Sequence, residues 1–237
     1  MLNSGLEGVV VAQTRLSAID GEKGELIYGG YDIDDLARNA TFEEVAFLLW
    51  NGRLPNTQEL QELNDQLVAE RELPEAILAM MRGFPSDSDA MGALRTVVSA
   101  LGLHDPEAND NSEEANRRKA IKLTARMPTI VAAFDRLRKG KAPVSPRKDL
   151  STAANFLYML NDQEPEELRV RTFDAALTLH AEHGMNASTF SARVTAGTLS
   201  DIYSAITSAV GTLKGPLHGG ANTRVMETLE KIDESGV

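Results

Sequence analysis

The sequence contains no cysteine. That excludes disulfide staples, thiolate nucleophiles and cysteine-ligated zinc, and leaves any chemistry to other side chains. Long hydrophobic runs are also missing. No stretch approaches the roughly 18 apolar residues of a membrane span, and the opening MLNSGLEGVV lacks the basic and apolar regions of a secretory signal. A cytoplasmic protein is the expectation, with no membrane partner. Cations are outnumbered, 24 Lys and Arg against 35 Asp and Glu, for a net charge of -11. Such a balance argues against a general electrostatic affinity for nucleic acid or for anionic membranes. Nothing in the chain forms a phosphate-binding P-loop, a dinucleotide fingerprint or a nucleophile elbow. Histidines number four: His104, His180, His183 and His218.

What is present suits a sizeable folded core. The 237 residues are 42% hydrophobic, enough for one large domain, or one domain and part of another. Residues 1–30 alternate apolar with Gly or charged positions, and Gly21 and Gly24 mark a turn between two short extended pieces. Everything after reads as helix. Thr41-Phe42-Glu43-Glu44 fits a capping box opening a helix through Trp50, which Gly52 stops. Asn56 with Glu59 opens the next helix after Pro55. Further helices are predicted near 74–82, 88–101, 112–126 and 128–139, with Pro128 dividing the last two. The polar stretch from His104 reads as a surface loop with an exposed histidine, and residues 139–149 as an extended connection whose cations are solvated. From Glu166, the positions Val170, Phe173, Leu177 and His180 share one face of a helix predicted to end near Gly184. Asn186 caps a following helix. After it, Ile202, Ile206, Ala209, Val210 and Leu213 mark an apolar stripe, and Ser204, Ala205, Ser208 and Gly211 allow close packing against another helix or a second subunit.

Two strings carry the candidate chemistry. His180 and His183 lie three apart with no third ligand in evidence, so metal binding is not expected; His180 reads as a core residue, and His183, at the helix end, as a ring that can face a cleft. In Gly215-Pro216-Leu217-His218-Gly219-Gly220-Ala221-Asn222, Pro ends one helix, two glycines permit close backbone approach, and another helix starts near Asn222. His218 there sits in positive helix-end potential, which favours a neutral ring that donates to a developing oxyanion, or else it plugs a loop.

These strings resemble the citrate synthase family, especially its shorter archaeal and bacterial form. TRLSAIDGEKGELIYGGYDIDDLA and TFEEVAFLLWNGRLPNTQEL are similar to the amino-terminal signature. RMPTIVAAFDRLRKGK and NFLYML resemble the middle, and HAEHGMNAST and LKGPLHGGAN the active-site strings. Two departures are visible. The family's Tyr-Arg-Gly-Tyr reads Tyr28-Gly29-Gly30-Tyr31, and its His-Ala-Asp-His reads His180-Ala181-Glu182-His183, with Gly184 where Glu is frequent.

The resemblance implies an all-α fold with a short extended amino-terminal segment at 1–30, a helical large domain at 31–220, and the start of a small domain at 221–237, the rest of which is mostly absent. It implies condensation of acetyl-CoA with oxaloacetate to citrate and CoA, with acetyl-CoA as cosubstrate, no metal or prosthetic group, and a homodimer. By the same resemblance His218 bonds the thioester oxygen and stabilises the enolate, and His183 helps hold oxaloacetate. The family's aspartate base and second histidine have no match here, nor do its CoA loop and carboxylate-clamping arginines. The expectation is therefore a chain that holds part of the family's length and lacks turnover alone. Two alternatives are a 2-methylcitrate synthase using propionyl-CoA and a noncatalytic helical protein derived from the family.

Overall fold

The computed structural model describes residues 12–235, so part of the expected extended segment lies outside the described residues. Among them are eleven α-helices and one small antiparallel sheet, the all-α architecture expected. The sheet is a meander of β1 (Ser17–Asp20), β2 (Glu25–Tyr28) and β3 (Tyr31–Asp32), with Ser17 opposite Tyr28. Gly24, at φ +70°, makes the first turn. Gly29, at φ +53°, makes the second, and a Cβ added there would fall 2.8 Å from Leu48 Cδ1. Glycine in place of the family's arginine thus fits both the backbone and the space.

The early helices start where their caps require. In α2 (Phe42–Asn51), Thr41 Oγ1 accepts from the Glu44 N–H and the Glu44 carboxylate accepts from the Thr41 N–H. Asn56 and Glu59 repeat the arrangement at the start of α3 (Thr57–Ala69). Each box satisfies two amide donors that a bare helix end would leave unpaired. Gly52 ends α2 in the left-handed region at φ +73°. Between β3 and α2 runs α1 (Ile33–Asn39).

The frame of the domain is α6 (Glu113–Arg138), one continuous helix with Pro128 inside it. The predicted break at Pro128 is corrected. Proline removes one amide donor, a local cost of about 3 kcal/mol. The apolar face on both sides of it, with Ile121, Leu123, Ile130 and Phe134 buried, outweighs that cost at about 1.5–3 kcal/mol per buried side chain. Against α6 pack α4 (Glu75–Arg82), α5 (Ala90–Leu103) and α10 (Ile202–Leu213), closing a core of Ile77, Met81, Val97, Val98, Leu101 and Tyr203. Gly102 makes room for Tyr203, whose Cβ and ring atoms lie 3.1–3.3 Å from where a Cβ would stand. On the other side, α7 (Thr152–Asn161) joins α6 to α8 (Glu167–Leu179). The expected extended connection at 139–149 is present, but Arg147 is not merely solvated: it pairs with Asp149 and Glu164 and lies over the Tyr158 ring.

One charge is held at a visible cost. Asp174 of α8 accepts from the Phe42 N–H at 3.2 and 3.3 Å. Burial, and then the nearby Glu43 and Glu44, push its carboxyl up to about 6. The native state therefore keeps a proton that the unfolded chain has lost, and stability falls as pH rises from about 4 to about 6. Asp174→Asn retains an acceptor for Phe42 and removes the charge. Solvent screening trims the expected gain at pH 7.5 to about 1 kcal/mol, or about 2–4 °C in Tm, vanishing near pH 4. Parallel wild-type and variant melting profiles across that range would contradict this assignment.

Candidate active site

The site begins with Tyr28, at the end of β2 and fully buried. Its hydroxyl donates to the Glu182 carbonyl at 2.5 Å, stands 3.1 Å from the Leu179 carbonyl, and receives the Glu182 N–H at 3.4 Å. Burial pushes the phenol pKa up, so the group stays a donor. These carbonyls belong to the end of α8 and to the turn after it. A strand 151 residues earlier in the chain thus fixes where α8 stops.

That stop comes at Leu179, not near Gly184 as the periodicity suggested. His180 caps the helix and is exposed rather than part of the core. Its Nδ1 bonds the Ala176 carbonyl at 2.7 Å, which makes Nδ1 the protonated nitrogen of that ring. Ala181 then packs against the cluster of Tyr28, Leu36, Val45 and Leu48. A Glu182 carboxylate oxygen accepts from the Gly184 N–H at 2.6 Å, and Gly184 turns the chain at φ +62°. A glutamate at 184 would be strained in that conformation, which accounts for the glycine. As expected, Asn186 caps the next helix, α9 (Ala187–Gly197), accepting from Thr189 N–H at 3.0 Å.

His183 lies at the apex of this turn and is exposed. Its ring stands edge-on to that of His180 with centroids 5.9 Å apart. Both neighbouring residues are committed to the turn, yet His183 itself has no hydrogen-bond partner among the described residues. Its two ring nitrogens are free for a ligand.

The second histidine arrives from the far side of α9. Helix α10 packs closely on α9, with the Ser191 and Ser208 hydroxyls 2.5 Å apart between them, and on α5. Small residues do permit this approach, within one chain. After Leu213 the backbone folds into the tight turn 215–219, where the His218 N–H bonds the Gly215 carbonyl at 2.9 Å and the Gly219 N–H bonds the Leu213 carbonyl at 3.0 Å. A Cβ on Gly219 would lie 2.2 Å from that Leu213 carbonyl, so no other residue fits there. His218 is partly buried, and its Nε2 is 2.8 Å from Ser188 Oγ in the first turn of α9. Two residues later α11 (Gly220–Ser235) begins. Both candidate histidines therefore gather at the amino end of α9, His183 just ahead of its cap and His218 through Ser188. Partial positive charge from two helix starts surrounds His218. Sequence patterns did not single out Tyr28 or Ser188, since a tyrosine in a strand and a serine near a helix cap are ordinary placements.

Residues 5–237 match the family described as citrate synthase, C-terminal domain. The chain is 53% identical to a citrate synthase of Haloferax volcanii over 99% of its own length and 63% of the relative's. It is 44% identical to a 2-methylcitrate synthase of Mycobacterium tuberculosis, over 98% of its own length and 59% of the relative's. Among solved structures it is similar to the citrate synthase of Pyrobaculum aerophilum, with a TM-score of 0.91, 43% identity, and coverage of 96% of this chain and 59% of that one. It is also similar to a Thermoplasma acidophilum citrate synthase in ternary complex with carboxymethyl coenzyme A and oxaloacetate, with a TM-score of 0.90, 33% identity, and coverage of 96% and 60%. The chain spans about three-fifths of the length of these relatives.

Removing the Tyr28 donor should loosen the histidine turn. Tyr28→Phe leaves two carbonyls without it, at an expected cost of about 1–3 kcal/mol. Amide hydrogen exchange should speed up at residues 180–186 more than elsewhere. Unchanged exchange in that segment would contradict the anchoring role.

Proposed function

The chain belongs to the citrate synthase family, and from that premise we propose that it supplies the substrate-holding side of a site that condenses acetyl-CoA with oxaloacetate to citrate and CoA. The observation that carries the reading is the convergence of His183 and of His218 in GPLHGGAN on the start of α9. The family's reaction needs no metal or prosthetic group, and acetyl-CoA enters as a substrate.

The chemistry asks for a weakly acidic methyl group to lose a proton while its thioester oxygen takes up charge. A donor fixed in advance at that oxygen stabilises the enolate without reorganising during the reaction. When Ser188 Oγ–H donates to Nε2, the neutral His218 ring carries its only proton on Nδ1, and Nδ1–H becomes the donor. The Ser188 contact is compatible with that tautomer, since a hydroxyl can donate to Nε2. His183, unpartnered and exposed, offers its ring to oxaloacetate. Residues 31–220 form the large domain in this reading, and 221–237 begin the small domain that closes over the substrates. A cytoplasmic homodimer completes the proposal; among the described residues no helix is long and apolar enough to cross a membrane.

The second reading, a 2-methylcitrate synthase, has the M. tuberculosis relative in its favour. It differs by one methylene on the acyl group, which a pocket discriminates by only about 1–3 kcal/mol.

Oxaloacetate binding tests the proposal. At about 100 times its dissociation constant, oxaloacetate should stabilise the chain by about 2.7 kcal/mol in thermal unfolding. His183→Ala should abolish the shift and His218→Ala should keep it. Oxaloacetate-dependent thiol release from acetyl-CoA is the activity readout: the chain alone, with no match for the family's aspartate base, should show none, and release that His218→Ala abolishes would mean that a base is present after all. A wild-type chain that oxaloacetate does not stabilise would contradict the proposal.

A further inference from the structure

A cavity of about 590 Å³ opens between α1 and α8, away from the histidines. Arg38, Asn39, Thr41, Ser151, Arg171 and Asp174 supply its polar lining. The volume falls within the ordinary range for small-molecule sites.

Its charges are separated rather than paired. On the acidic side, Asp174 accepts only the Phe42 N–H. Next to it is the buried Glu43, whose carboxylate accepts from the Thr152 N–H at 2.8 Å and feels the buried Arg71. On the cationic side, Arg38 and Arg171 are exposed, and neither has a carboxylate partner among the described residues. Asp174 has no ion pair either, although it shares the cavity with two arginines. Charged side chains in one cavity ordinarily gain by closing into charge-assisted bonds. These form no ion pair among the described residues: one carboxylate and two guanidiniums line the same ligand-sized cavity.

We propose that the cavity binds an acidic α-amino acid, with its ammonium on Asp174 and its two carboxylates on Arg38 and Arg171. The ligand's charges match the site one for one. An ammonium placed there also meets the field of Glu43 behind Asp174 and so relieves the repulsion between the two carboxylates. Glu43 and Glu44 of α2, Arg38 of α1 and Arg171 of α8 are the charged groups around Asp174, and α7 adds only the hydroxyls of Ser151 and Thr152. This inference does not rest on the proposed reaction.

Calorimetric titration at pH 7.5 with L-glutamate, and with glutarate as its amine-free counterpart, tests the site. L-glutamate should bind, and glutarate should bind at least about tenfold more weakly, the equivalent of one lost charge contact. Asp174→Asn and the double variant Arg38→Gln/Arg171→Gln should each lose about tenfold or more for L-glutamate. His183→Ala should bind it as the wild type does, which keeps this site apart from oxaloacetate binding. Absence of L-glutamate binding up to about 20 mM, equal binding of glutarate, or unaffected binding by the Asp174 and arginine variants would each overturn the proposal.

Discussion

The arrangement of the candidate site depends on a buried hydroxyl. Tyr28 comes from the three-stranded meander, and its oxygen reaches the last carbonyls of α8 and the turn beyond. Without that partner, α8 could continue toward Gly184 as its sequence periodicity suggests, and His180 and His183 would lie on one helical face. With it, the helix stops at Leu179, Ala181 is drawn into the Tyr28 cluster, and His183 is left at the apex with its ring free. A burial event in the small sheet thereby decides where the His183 side chain stands.

The other half of the site is placed by backbone proximity. Helix α10 is fixed by Tyr203, whose ring fills the space over Gly102 and whose hydroxyl donates to Asp105 at 2.5 Å. Asp105 in turn accepts from Lys122 of α6 at 3.1 and 3.2 Å. Nearby, Lys119 is fully buried and is satisfied by the Ala108 and Asp110 carbonyls, which binds the polar loop at 104–111 to the frame. Buried charges of this kind are costly to strand, so they fix register more than they add stability. The turn carrying His218 then follows from the end of α10, and Gly219 closes it by lying against the Leu213 carbonyl.

Much of this was legible in the sequence where the cause is local. The caps at Thr41 and Asn56, the stops at Gly52, the cap at Asn186 and the glycine turn around His218 each depend on residues within a few positions of one another. Elsewhere distant packing overrides the local signal. Pro128 reads as a helix break, yet α6 runs through it because its flanks are buried on both sides. His180 reads as a core position because its spacing from Leu177 is helical, and only the contact with Tyr28 shows that the helix has already ended. The Ser188 contact with His218 spans 30 residues and leaves no pattern to find.

If oxaloacetate binds as proposed, Tyr28 acts on it only through the His183 turn that its hydroxyl anchors. A double-mutant cycle measured by calorimetric titration with oxaloacetate separates this from a purely structural role. Tyr28→Phe should weaken oxaloacetate binding in the wild-type background and change nothing further once His183 is alanine, a coupling of the kind seen between groups that act as one unit. Two losses that simply add would contradict the claim and leave Tyr28 as a residue of the core alone.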